Sequence, residues 1–470
     1  MKKTKIVATL GPATDSETKI KELIEAGVDV FRLNFSHGTH ESQGEKFDRI
    51  RSISDDVGIM LDTKGPEVRT GQMEDNTSFD GGSKVKLTSE DVKGDSGLLP
   101  VSFDGLEEGL ETGDNVLIDD GKVILEVVST ENGVQCEVEH GGPVETGKGV
   151  NVPGKDIGLQ APTEKDVEDI KFGLEKGFDF IALSFVKHED DVKEVRDLID
   201  KHESSPEIIS KIEHLKAVDN FDGILDESDG IMVARGDLGV EANAAEVPLL
   251  QKEQVRKANS SGKPVIIATQ MLESMTENPM ATRAEASDVA NAVIDGTDAV
   301  MLSGESAIGD YPVRAVEFMS EIIERTEKIH DSTVHHTVKD KSSDATQVIC
   351  KNAWQAARDL DASYIMAHTT SGSTARNIAK YRPGTPIVGI SHDKEVVRKM
   401  NLIWGVQPVH IEETQGVGEM VRTSVSKIYD EGWVDANDQL IISAGVPTGI
   451  SGATNMLQIR KTVDVLEEQN

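Results

Sequence analysis

Apolar and polar positions alternate in blocks along the first sixty residues. Lys5 to Leu10 reads as a strand that closes on Gly11-Pro12, and Ser16 to Ala26 carries Ile20, Leu23 and Ile24 on one helical face with Gly27 after it. Val28 to Phe35 is a second strand, interrupted by Arg32 and Asn34. A helix over roughly Glu41 to Ser54 leads to a third apolar run, Gly58 to Leu61. Three strand-helix units in succession predict a parallel sheet with right-handed crossovers.

The rhythm then changes. From about Thr70 to Asn151, short Val, Leu and Ile alternations are broken by Gly81-Gly82, Asp119-Asp120-Gly121, Asn132-Gly133 and Gly141-Gly142. Such pairs between alternating runs are hairpin signals, so a small all-β insertion is expected inside one strand-to-helix connection.

The strand-helix pattern resumes at Thr163, which caps a helix over Glu164 to Lys176 that ends at Gly177. Strands are expected at Phe178 to Leu183, Glu207 to Ser210, Gly230 to Val233, Pro264 to Ala268 and Asp298 to Leu302. Three strands before the insertion and five after it give the count of a TIM (β/α)8 barrel within an α/β fold. An open doubly wound sheet shares the count, but it would not gather the polar groups that finish these runs. Those groups are Thr9, Arg32 and Asn34, Asp62 and Thr63, Ser184, Lys211 and Glu213, Arg235 and Asp237, Thr269 and Gln270, and Ser303 and Glu305. On a barrel they converge on the C-terminal rim, where chemistry sits.

After a helix around Val313 to Ile329, the polar stretch 330–346 lacks apolar periodicity and reads as a linker. A C-terminal α/β domain follows: a helix near Ile349 to Leu360, strands at Tyr364 to Ala367, Pro386 to Ile390, Val406 to Val409 and Gln439 to Ser443, and a last apolar segment at Met456 to Ile459. The expected division is 1–68 with 160–331 for the barrel, 69–159 for the β lid, and 332–470 for the C-terminal domain.

Charge changes the picture next. The 470 residues hold 84 Asp plus Glu against 49 Lys plus Arg, a formal net charge of -35 spread along the whole chain. Such a field repels nucleic acid and anionic membranes, and points to a protein adapted to concentrated salt. Cys136 and Cys350 match no metal-ligand spacing, which fits a reducing, cytoplasmic setting. The apolar run before Gly11-Pro12 is too short for a signal peptide or a membrane span.

The candidate chemistry lies at the strand ends. Lys211 and Glu213 stand two apart, so both can point to one face, and Asp237 comes from the next strand. Two carboxylates beside a lysine read either as an ordinary salt bridge or as a site for magnesium or manganese. With Asp62, Arg32 and Arg69 at the same rim, a phosphate and metal centre is favoured. A buried unpaired guanidinium is costly, so Arg32 within an apolar strand is read as gripping an anion, with Asp62 or Glu67 as its partner. His37 reads as a general base or as the cap of a turn. In the C-terminal domain, Thr370, Ser371, Gly372, Ser373 and Thr374 precede a helix beginning near Ala375, with Arg376 close by. Hydroxyls and backbone amides there suit a phosphate-bearing effector, or a plain N-cap loop.

Taken together, these residues resemble the pyruvate kinase family along nearly the whole chain. The matching stretches are Arg32 to Gly38, Leu61 to Gly71, Ser210 to Glu213, Met232 to Gly239, Ala268 to Met275, and Thr282 to Glu285 with Ser287 to Ala292. The resemblance implies phosphoryl transfer from phosphoenolpyruvate to ADP, the last step of glycolysis, dependent on Mg2+ (or Mn2+) and K+. It implies that Glu213 and Asp237 hold the divalent metal and that Lys211 stabilises the phosphoryl group. Arg32 would contact phosphate, and Gly236, Asp237 and Thr269 would seat the substrate carboxylate. Asn34, Ser36, Asp62 and Thr63 match potassium ligands, while Thr9, Pro12, His37 and Arg69 match positions near the nucleotide. Glu67 stands where a glutamate accompanies potassium dependence. The family is also allosteric and usually a homotetramer. Lys187-His188 depart from its more basic pair, so a nucleotide contact from that loop is not implied. A metal-dependent aldolase or lyase, and a non-catalytic metabolite sensor, are the competing readings; the first would not need a lid, and Lys211, Glu213 and Asp237 together argue against the second.

Overall fold

The computed structural model describes residues 2–103, 105, 109–131, 133–243, 245–330, 344–446 and 454–468. Eight parallel strands close into a barrel: β1 (Lys5–Thr9), β2 (Val30–Asn34), β3 (Gly58–Asp62) and, after the lid, β12 (Phe180–Leu183), β13 (Glu207–Ile212), β14 (Gly230–Ala234), β15 (Val265–Ala268) and β16 (Ala299–Leu302). Their order around the barrel is β1-β16-β15-β14-β13-β12-β3-β2. The expected (β/α)8 fold is present.

The apolar runs are continuous because both strand faces are buried. One set of alternate residues packs outward against the helices, as Ile6, Phe31, Ile59, Ile181 and Ile208 do. The other set fills the barrel: Val7, Val30, Met60, Phe180, Ala182, Ile209, Met232, Ile266, Ala268, Ala299 and Met301. Side chains alternate with a period of two. The next inward position after Val30 is therefore Arg32, after Met60 Asp62, after Ala182 Ser184, and after Ile209 Lys211. The polar rim is thus a direct continuation of the inner core.

The helices stop and start where their caps dictate. Thr163 and Asp166 form a capping box for the helix Glu164–Lys176, and Gly177 ends it at φ 80°, a conformation that favours glycine. Ser16 caps Glu17–Ala26 with its side chain alone, accepting from the Lys19 N–H.

Between β3 and β12 the chain builds the expected all-β insertion: β4 (Ser78–Phe79), β5 (Lys84–Thr88), β6 (Leu98–Pro100), β7 (Asn115–Ile118), β8 (Val123–Ser129), β9 (Gln135–His140), β10 (Gly142–Pro143) and β11 (Val150–Asn151). Six form one sheet, β11-β7-β8-β9-β5-β6, and β10 pairs with β4. Its core, including Val85, Leu87, Val116, Leu125 and Cys136, is separate from that of the barrel. Asn132, expected in a hairpin turn, and most of the expected linker, 331–343, lie outside the described residues.

The C-terminal sheet comprises β17 (Tyr364–His368), β18 (Ile387–Ser391), β19 (Val406–His410), β20 (Gln439–Ala444) and β21 (Met456–Lys461) in the order β19-β18-β17-β20-β21. Only β21, the last apolar segment, runs antiparallel, against β20. This sheet's domain meets the N-terminal ends of the barrel strands through ion pairs: Arg382 with Asp298 at 3.0 Å, Arg398 with Asp179 at 2.6 Å, and Arg376 with Glu207. Leu402 packs with the inner core of the barrel. Among the described residues no helix is long and apolar enough to cross a membrane.

Candidate functional site

At the C-terminal rim, the inward positions of β2, β3, β12 and β13 meet. Arg32 pairs through Nε with Asp62 and donates from Nη1 to Thr9 Oγ1 at 3.0 Å. Lys211 Nζ lies 3.1 Å from Asp62 Oδ1, 2.8 Å from Glu213 Oε1 and 2.8 Å from Ser184 Oγ. Asp62 is therefore the carboxylate that Arg32 grips, and Glu67 is paired instead with Arg69 at 2.7 Å. Burial alone would raise the Asp62 carboxyl's pKa, but Arg32 and Lys211 outweigh it and hold the group below the usual carboxylate range. Burial likewise opposes charge on Lys211, yet Asp62 and Glu213 raise its pKa above the ordinary lysine value. The result is a pinned ammonium whose charged form is favoured.

Asp237 arrives from the end of β14. The sequence suggests a turn there; the backbone instead makes the first turns of a short helix, Arg235–Glu241. Burial in the cleft and then the Glu213 carboxylate push the Asp237 carboxyl upward, while an edge open to solvent tempers the first effect. Among the described residues no lysine or arginine pairs with Asp237. Two carboxylates on neighbouring strands, facing one cavity with one of them lacking a cation, suit a divalent ion. Among the described residues no three His, Cys, Asp or Glu side chains gather into a cage.

The cleft has two lobes. One, about 280 Å³, is lined by Arg32, Asn34, Ser36, His37, Thr63, Glu67, Arg69, Lys211, Glu213 and Asp237 among others. The other, about 940 Å³, is lined by Gly236, Asp237 and Thr269. Asp237 and Asp120 belong to both. Thr269 sits at φ 67° and Gln270 at φ 55°, so the chain leaves β15 through two residues in a conformation disfavoured for side-chain-bearing residues. Thr269 Oγ1 accepts from the Gly236 N–H at 2.7 Å. Of the positions expected near a nucleotide, His37 and Arg69 line the first lobe, Thr9 lies beneath Arg32, and Pro12 is exposed and lines neither lobe. For the expected monovalent site, Asn34, Ser36 and Thr63 line the first lobe while Asp62 lies behind it, fully buried.

Several neighbours were not legible as site residues. Asp120 reaches the cleft from the lid's Asp119-Asp120-Gly121 turn, where both aspartates have positive φ. The Asp-Asp-Gly triplet signalled the turn, but not where it points. Glu241 accepts from the Gly154 N–H at 3.3 Å and burial pushes it up to about 7; nothing in its local sequence marks it. Lys187 is committed to Asp156 at 2.6 Å and the Leu159 carbonyl at 2.8 Å, tying the lid's return strap to the barrel.

In the C-terminal domain Thr370, Ser373 and Thr374 line a cavity of about 250 Å³ at the carboxyl ends of the parallel strands, which Glu412 and Glu413 also line. Ser371 and Gly372 do not line it. The following helix starts at Ser373 rather than Ala375, and Arg376, beside Gly372 of the loop, pairs with Glu207 of the barrel.

Comparison with known proteins gives this geometry a family. Residues 1–316 match the family described as "Pyruvate kinase, barrel domain", and residues 347–460 match "Pyruvate kinase, alpha/beta domain". The chain belongs to the pyruvate kinase family. It is 46% identical to a pyruvate kinase of Bacillus licheniformis over 477 aligned residues, covering 99% of this chain and 81% of that one. A pyruvate kinase of Geobacillus stearothermophilus is 44% identical with the same coverage. A crystal structure of a pyruvate kinase from Cryptosporidium parvum superimposes with a TM-score of 0.94 at 37% identity, covering 98% of this chain and 96% of that one. As a member of this family, the chain is a phosphotransferase.

Proposed function

We propose that the chain transfers the phosphoryl group of phosphoenolpyruvate to ADP, giving pyruvate and ATP, as the last step of glycolysis in the cytoplasm. The observation that carries this reading is Lys211, fixed between Asp62, Glu213 and Ser184 at the barrel mouth of a chain of this family. Phosphoryl transfer calls for positioning and charge neutralisation rather than covalent catalysis, and a pinned ammonium beside a guanidinium provides both. Lys211 and Arg32 draw the phosphoryl oxygens to the floor of the cleft. Thr269, with the amides of Gly236 and Asp237, seats the substrate carboxylate. His37 and Arg69, together with Thr9 and Pro12, are the positions we assign to the nucleotide. Glu213 and Asp237 would hold Mg2+ or Mn2+, and Asn34, Ser36, Asp62 and Thr63 would hold K+; when bound, these ions add positive charge against the phosphates. Water near Thr269 protonates the enolate that the transfer leaves.

We read the domain limits as 1–68 with 160–331, 69–159 and 332–470, the last being regulatory, in a homotetramer. Thr370 to Thr374 would take the phosphate of an effector, with Thr370, Ser373 and Thr374 turned toward it. The assay is direct: pyruvate formation from phosphoenolpyruvate and ADP, coupled to lactate dehydrogenase, with magnesium, across a range of potassium chloride. Turnover that requires ADP and magnesium and rises with potassium is expected. No turnover at any salt concentration would end the proposal.

A further inference from the structure

The turn that leaves β12 holds the β13 pair from below. Ser184 is 1% exposed and occupies the inward position after Ala182. Its hydroxyl carries one proton and two acceptor lone pairs. The Thr63 carbonyl lies 2.7 Å from Oγ and Asp62 Oδ1 lies 3.3 Å away, so the proton goes to Thr63. The lone pairs are left for Lys211, whose Nζ donates at 2.8 Å. The Ser184 N–H donates to Thr63 Oγ1 at 3.0 Å, and the next N–H, that of Phe185, donates to Glu213 Oε2 at 2.7 Å.

This turn is over-determined by its surroundings. Phe185 sits at φ 55°, and Gly65 passes over it at φ 70°. A Cβ on Gly65 would come within 2.5 Å of the Phe185 ring and 2.9 Å of Ser184 Cβ, so only glycine lets the two segments close.

From this geometry we infer that Ser184 is a positioning residue for Lys211 in phosphoryl transfer. The ammonium donates one proton to Ser184 and pairs with the Asp62 and Glu213 carboxylates at 3.1 and 2.8 Å. An arriving phosphoryl oxygen competes with these partners for it. It is repelled by the two carboxylates but not by the hydroxyl, so a carboxylate gives way and Ser184 stays as the neutral anchor. Because Oγ is itself fixed to Thr63, the lysine keeps its register with the end of β3 during the exchange.

The inference rests on the phosphotransferase reading, and the test separates the two. Wild type, Ser184→Ala and Ser184→Cys are compared as full chains in the coupled assay, with phosphoenolpyruvate binding followed by calorimetry and thermal melting recorded. Cysteine keeps the shape but is a weak acceptor, so it answers the question even where alanine perturbs folding. We expect kcat to fall by about tenfold or more in both variants, while the KM and the dissociation constant for phosphoenolpyruvate change by less than about twofold. The inference is overturned by kcat within about twofold of wild type in both, by a KM that rises in step with the loss, or by a cysteine variant that recovers what alanine loses. A wild-type chain without turnover overturns the phosphotransferase reading itself.

Discussion

In the proposed reaction Lys211 is the residue on which the chemistry turns, because its three partners hold it in place and favour its charged form. Lys211→Met removes the ammonium but leaves Asp62 held by Arg32, and Glu213 held by the Phe185 N–H. The fold therefore survives the change. We expect turnover to drop by about 10²–10³-fold, the loss typical of one preorganised charge in such a site, with an unaltered circular dichroism spectrum. Near-normal turnover would refute the assignment. Arg32, Asp62 and Lys211 could be read from sequence because a charge inside an apolar run, on the period-two face that fills a barrel, has few structural uses. Ser184 could be listed as a rim residue but not read as an anchor. A serine at a strand end has many ordinary roles, and its bond to Lys211 depends on the register that sets Leu183 beside Ser210. Arg376 stands beside Gly372, as its place in the sequence suggests, but its pairing across to Glu207 of the barrel, at 20% exposure, has no local signature.

Among the elements, the barrel strands and the lid were legible because each announces itself locally, through doubly buried runs in one case and turn dipeptides in the other. Pairings that join distant segments were not. The parallel contact of β5 with β6, in a sheet whose other strand pairs are antiparallel, has no local signature. Strand β17 likewise ends in His368, whose burial is invisible in the sequence. Its Nε2 meets Ser424 Oγ at 2.9 Å, and burial pushes its pKa from 6.5 down to about 4. The sign follows from linkage: between these values the unfolded chain binds a proton that the folded chain refuses. Stability from this residue is complete above pH 6.5 and is lost as the pH falls toward 4, by up to about 3 kcal/mol. Melting temperatures of wild type and His368→Gln, measured from pH 7.5 to pH 4.5, should converge as the medium becomes acid. Curves that run parallel would show that His368 is not the group responsible.

At the scale of the whole molecule, two kinds of charge respond to salt in opposite proportion. The C-terminal domain docks on the barrel floor through pairs such as Arg382 with Asp298, whose side chains are 6% and 5% exposed. Buried pairs of this kind are screened little. The excess acid that makes the net charge -35 is instead spread over the chain, much of it at the surface, and its mutual repulsion opposes the compact state. Screening shortens from about 10 Å at 0.1 M to about 3 Å at 1 M. Added salt should therefore weaken the repulsion while leaving the docking pairs intact. The melting temperature should rise with potassium chloride and level off as the screening length falls below the spacing of surface charges. Sodium chloride distinguishes this from occupancy of a potassium site: an equal rise in both salts marks general screening, and a rise confined to potassium marks a specific ion. A melting temperature indifferent to either salt would mean that the acidic surface does not strain the fold, and would remove the argument for adaptation to concentrated salt.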